Sequence, residues 1–157
     1  MNERRTNAAK FLSEYKIIAD KKQIIEEQMF EIGALLRELI RSDGQNGENV
    51  DKRVASYRKL LESKFTSLNA MRGALRIRQS AIKSVLNSLP EKEREVLTRF
   101  YIEGDNKNVS DDLSYKLGFE KSHIYRLRDK ALDRVSEYLD NDFSKYFWEQ
   151  AAEDNTE

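Results

Sequence analysis

The feature that most limits how this chain can fold is a pair of long apolar series spaced alternately three and four residues apart. The first runs Tyr15, Ile18, Lys22, Ile25, Met29, Ile32, Leu36 and Leu39, broken once by Lys22. The second follows the polar stretch from Ser42 to Asn49 and runs Val50, Val54, Tyr57, Leu61, Lys64, Leu68, Met71, Leu75, Arg78, Ile82, Val85 and Leu89. Such spacing puts one side chain per turn along a single line of an α-helix, the seam of a coiled coil, whereas a strand would alternate in twos. Two helices of roughly 50 and 60 Å follow at 1.5 Å per residue. They are close enough in length to fold back on each other as an antiparallel hairpin through a loop containing Gly44 and Gly47. With six glycines and one proline in 157 residues, and 36% of residues charged, little interrupts helices, so the predicted fold class is all-α.

Ile17, Ile24, Leu35, Leu60, Phe65, Ile77 and Leu86 flank these seams and make the stripes wider than a two-helix contact needs. A further helix is therefore expected to pack there. If it comes from a second copy, residues 1–88 are a dimerisation element; the other arrangement is a monomer whose hairpin docks on its own C-terminal part. Pro90 disfavours helical geometry in the residue before it, so the second helix should end near Leu89 and a new one start at once with Pro90 at its first helical position. The short junction would hold the next helices at a nearly fixed angle to the hairpin.

The segment SDDLSYKLGFEKSHIYRLRD, Ser110 to Asp129, has the spacing of a helix-turn-helix. Leu113 and Leu117 share one face of the first helix, and the small Ser114 permits close approach of a second. Gly118 supplies the left-handed conformation that ends a helix, Phe119 is the apolar residue beyond it, and Ile124 and Leu127 form the buried stripe of the next helix. Lys121, Ser122, His123, Tyr125, Arg126, Arg128 and Lys130 then point outward, with Lys116 on the preceding helix. These are donors suited to phosphates and base edges in a major groove. Ser110 is the expected cap of the first helix, after an exposed loop from Glu103 to Asn108.

The flanks carry a resemblance. LPEKEREVL, starting at Leu89, precedes the motif, Leu117 and Gly118 stand at the turn, and Ala131 and Leu132 follow the recognition segment. Together, residues 89–139 resemble the promoter-recognising C-terminal domain, region 4, of bacterial sigma factors. A sigma-like helix-turn-helix behind a long helical N-terminal half is similar to the small phage-encoded transcriptional regulators of the ArpU type. The resemblance implies a DNA-binding transcription regulator of late phage genes, acting on double-stranded DNA in the host cytoplasm and with RNA polymerase as a further partner. By the same resemblance Lys121, Ser122, Tyr125 and Arg126 fall where sigma domains contact the promoter. Tyr125 stands where an arginine is usual and Glu120 where a small hydroxyl residue usually caps the recognition helix, which implies a target other than the standard promoter hexamer. The expected organisation is 1–88 hairpin, 89–139 DNA-binding domain and 140–157 acidic aromatic tail.

The formal net charge is zero, but it is segregated: residues 1–88 hold 17 Lys or Arg against 11 acids, residues 89–139 hold 10 against 11, and residues 140–157 hold 1 against 6. From Lys121 to Arg134 five basic residues accompany two acidic ones, so the local field should be positive within a neutral domain. No acid occurs between Glu62 and Glu91, where Lys64, Arg72, Arg76, Arg78 and Lys83 form either a solvated face or a second surface for DNA or an acidic partner. Phe143, Tyr146, Phe147 and Trp148 in the acidic tail either dock on the chain itself or form a handle for a protein partner. The absence of cysteine excludes disulfides and thiolate metal sites. His123 is the lone histidine, without organised acids, so neither catalysis, a metal nor another cofactor is expected, and simple solvation is its commonest role. No apolar run approaches the roughly 20 residues that span a bilayer, so no membrane association is expected. The competing function is a helical adaptor that binds RNA polymerase or another protein without reading bases.

Overall fold

The computed structural model describes residues 1–46, 52–103 and 107–141, and of 43–46 the backbone alone. The connection after Asn46, Val50, the loop residues 104–106 and the aromatic tail lie outside the described residues. The fold is all-α: α1 spans Glu3–Asn46, α2 Lys52–Asn87, α3 Glu91–Leu97, α4 Val109–Leu117 and α5 Lys121–Leu139. A π-helical turn, Thr98–Ile102, follows α3 directly. No helix among the described residues is long and apolar enough to cross a membrane.

Helix α1 starts well before the predicted seam. The Asn2 side chain accepts the Arg5 backbone N–H at 2.8 Å, an N-terminal cap, and Glu3 places an acid in the first turn, where the helix dipole favours it. Ala8, Phe11 and Leu12 are buried and carry the apolar spacing of Ile18 back to the start of the chain. At the other end α1 continues through five residues of the stretch expected as loop, Ser42 to Asn46.

By compactness the chain forms two units, one of residues 1–19 and 77–157 and the other of residues 20–76. Residues 1–19 and 77–88, expected with the hairpin, thus group with the helix-turn-helix. In the second unit Ile25, Met29 and Ile32 of α1 and Leu61, Leu68 and Leu75 of α2 are buried. These two segments are its only described elements and are joined by five residues, so they cover each other as antiparallel neighbours.

The α1 seam lies where the spacing puts it, whereas the α2 seam is turned by one residue. Tyr57, Lys64 and Met71 are exposed, and Arg58, Phe65 and Arg72 are half-buried instead. Leu61, Leu68 and Leu75 belong to both series, so the choice rests on their neighbours. Phe65 outweighs Lys64 in apolar area, and the methylene stems of Arg58 and Arg72 cover the seam while their charged ends reach polar partners, Glu62 for Arg58 at 3.1 Å and Asn69 for Arg72 at 2.8 Å.

In the first unit, α2 ends in a turn in which the Leu89 N–H donates to the Leu86 carbonyl. Pro90 sits just before α3 rather than as its first residue, and its carbonyl accepts the Arg94 N–H at 2.9 Å. Helices α3 and α5 pack together, tied by Arg134, whose Nε lies 2.9 Å from one oxygen of the buried Glu93 carboxylate and 3.2 Å from the other. The start of α1 is tied to α5 as well. Arg5 makes a two-pronged contact with Asp133 at 2.8 and 2.9 Å and lies 3.5 Å from Asp129, Arg4 pairs with Asp140, and the buried Ser136 hydroxyl donates to the Arg4 carbonyl at 3.0 Å.

The Arg5 hydrogen bond holds the Asp133 carboxyl below its ordinary value. Stability from this pair is fully present above the usual carboxylate range, about 3.9, and is lost as pH falls through the lowered value. Asp133→Asn should lower the thermal midpoint at pH 7, and the gap from wild type should close on acidification toward pH 3; an equal gap at both pH values would contradict this role for the pair. Arg134→Ala strands a buried carboxylate and should cost about 2 kcal/mol in urea denaturation.

Candidate nucleic-acid interface

The helix-turn-helix forms around four buried side chains, Val96 of α3, Val109 and Leu113 of α4 and Ile124 of α5, with Phe100, Leu117, Phe119 and Leu127 packed against them. Gly118 adopts φ 73° and ψ 25°, and its N–H donates to the Ser114 carbonyl at 3.0 Å, closing α4 in the left-handed cap that only glycine adopts without strain. The Ser114 hydroxyl donates to the Phe119 carbonyl across the turn. That small residue thus gives close approach and a bond that fixes the corner.

Helix α4 begins one residue earlier than its expected cap. Val109 is its first residue and Asn108, at φ 58°, precedes it without a side-chain cap bond, so Ser110 lies inside the first turn. A buried Val109 decides the matter, because it must join Leu113 and Ile124 in the core. Glu120 precedes α5 in an extended conformation and likewise makes no side-chain cap bond; its carbonyl accepts the N–H groups of His123 and Ile124.

Lys121, Ser122, Tyr125, Arg126 and Lys130 are exposed on the first turns of α5, and Lys116 is exposed on α4. Arg128 is half-buried, with its guanidinium 5.0 Å from the Tyr125 ring centre and 5.6 Å from that of Phe100, and with Asp129 bonded to it at 3.0 Å. Tyr125 and Phe100 lie 6.1 Å apart, so the Tyr125 ring rests on an aromatic support supplied by the π-helical turn. That turn is closed by the Glu103 N–H bonding the Thr98 carbonyl at 3.1 Å, and the extra residue it admits has no signature in the helical spacing.

His123 is not simply solvated. Its ring stands edge-on to Phe119 with centroids 4.5 Å apart, and Lys92 lies 4.8 Å above the same Phe119 ring.

Besides Arg128, two of the expected donors are engaged by carboxylates. Lys121 pairs with Asp111 and Lys116 with Glu95, and in each case the hydrogen bond to the carboxylate raises the lysine above its ordinary value. Arg126 and Lys130 make no such pair among the described residues. The two acids of the segment, Asp129 and Asp133, both face Arg5. Arg5 is therefore a contributor that sequence spacing missed, since it lies more than a hundred residues away. Tyr115 was missed too: it is 94% exposed on α4, opposite the Leu113 and Leu117 face, a placement that two-residue offset from Leu113 could have revealed.

Between α3 and α4 a groove of about 490 Å³ is lined by Glu95, Arg99, Asp112 and Lys116 among others. Its charges satisfy one another, Arg99 lying 2.9 Å from Asp112 and 3.4 Å from Glu103. No group of three His, Cys, Asp or Glu side chains able to hold a metal ion occurs among the described residues.

An added Cβ at Gly118 meets nothing within 4 Å, so its only penalty is backbone strain. Gly118→Ala should therefore cost roughly 1–2 kcal/mol in urea denaturation and Gly118→Asn clearly less, because asparagine tolerates the left-handed region. Equal losses for the two would show that φ is not the constraint. In comparisons of the chain with protein-family models, with curated proteins and with solved structures, no family model, no curated protein and no solved structure matches.

Proposed function

We propose that this protein is a sequence-specific DNA-binding transcription regulator that inserts the first turns of α5 into the major groove. The observation that carries the reading is the sorting of charge on that helix. Lys121, Tyr125, Arg126 and Lys130 are outward, while Asp129 and Asp133, the two acids nearest them on the helix, are turned to Arg5 of the same unit and so oppose a polyanion less. Tyr125 and Arg126 read base edges, Ser122 assists, and Lys121, Arg128, Lys130 and Lys116 hold phosphates. The uncapped start of α5 offers backbone N–H groups to a phosphate oxygen. The likeness of residues 89–139 to sigma region 4 suggests phage late operons in a bacterial cytoplasm as the setting.

One observation favours an adaptor that binds RNA polymerase or another protein without base readout: Lys121 and Lys116 are already paired with carboxylates, which a phosphate must displace. Selection from random duplex DNA separates the two functions, since a regulator enriches a motif and an adaptor enriches none. For the regulator, the double variant Tyr125→Ala, Arg126→Ala should abolish sequence preference with helicity unchanged. Survival of specific binding in that variant would place the reading face elsewhere. Asp111→Asn should release Lys121, tighten DNA binding and steepen its salt dependence by up to about 0.9 in log-log slope, the value for one phosphate contact. An unchanged slope would show that Lys121 makes no phosphate contact.

A further inference from the structure

Residues 20–76 leave one apolar face uncovered. Ile24 and Leu35 of α1 are 56% and 45% exposed, and Leu60 and Met71 of α2 are 63% and 53% exposed. Each pair is eleven residues apart, three helical turns, so each forms a line along its own helix. On both helices the line sits one residue before a seam position, with Ile24 beside Ile25 and Leu60 beside Leu61. In antiparallel neighbours the same rotational offset from the shared seam brings both lines to the same face of the pair. Isolated exposed apolar residues need no explanation, but two aligned rows on one face do.

The edges of this face differ in charge. Along α1 it is bordered by the exposed acids Glu31 and Glu38, and along α2 by Lys64. The single acid of α2, Glu62, lies on the other flank, bonded to Arg58. A two-fold axis running along the helices sets α1 of one copy over α2 of the other, so that each acidic edge meets a basic one. An axis across the helices would set α1 over α1 and oppose like charges. The two apolar rows run about 17 Å along their helices, at the centre of a helix-pair surface about 40 Å long and about 20 Å wide, on the order of 800 Å², which with its charged edges is what each partner of a stable complex contributes. We infer that this face takes a second copy of the chain, forming a four-helix bundle in which α1 of each protomer lies against α2 of the other. This inference concerns residues 20–76 alone and stands whether or not α5 enters DNA.

Sedimentation equilibrium of the full chain tests it. The expected mass is twice the 18.4 kDa of one chain. The variant Leu35→Lys, Leu60→Lys should raise the dissociation constant at least about a hundredfold with helicity unchanged in circular dichroism, because both side chains are exposed within one chain. Glu38→Lys and Lys64→Glu should each weaken the dimer about tenfold, and their combination should restore it. A monomeric wild type at several hundred micromolar, or a dimer that survives the double lysine variant, overturns the proposal. Failure of the charge swap to restore association overturns the α1-on-α2 arrangement. Motif selection on duplex DNA is read separately, so loss of the dimer and loss of base readout are distinguishable.

Discussion

Val96, Val109, Leu113 and Ile124 meet at one point, and the orientation of every helix around the candidate interface follows from it. Ile124 anchors the inner side of α5, so the residues at its outward side are settled by helical geometry alone. The core can close only if the chain reverses sharply between Leu117 and Ile124. That reversal rests on the left-handed Gly118 and on the Ser114 hydroxyl bonded to the Phe119 carbonyl. Larger or β-branched residues at either place would push α5 away from α4 and open the same core.

Electrostatics then act on a surface that packing has already defined. The first unit contains nearly equal numbers of acids and bases, and its structure pairs them selectively. Glu93 is paired with Arg134, Asp112 with Arg99, and Asp129 and Asp133 of α5 with Arg5. What remains outward on α5 is mainly cationic and aromatic. Under the proposed function, Asp111 and Glu95 would act as internal competitors for Lys121 and Lys116, which lowers non-specific attraction and leaves discrimination to Tyr125 and Arg126.

Local patterns were legible where one physical requirement dominated. The α1 seam, the glycine at the turn and the inward Ile124 each follow from a spacing or a backbone conformation that few residues satisfy. The α2 seam was misjudged by one residue because Leu61, Leu68 and Leu75 fit two series equally, and the arginine stems that decide between them count as polar in any apolar pattern. The π-helical turn that carries Phe100 under Tyr125 was invisible for a related reason: its extra residue interrupts the helical period without a glycine or proline to mark it.

The amino-acid order alone was enough to establish helices, their approximate limits and the outward residues of α5, since these depend on interactions within a few turns of one segment. Folding in three dimensions decided which of those outward residues keep their charge to themselves and which share it. It also decided that residues 1–19 belong with α5 rather than with the hairpin. Arg5 and Asp133 stand 128 positions apart, and no periodicity links them. Only burial of Ala8, Leu12 and Ser136 within one unit brings those charges within bonding distance.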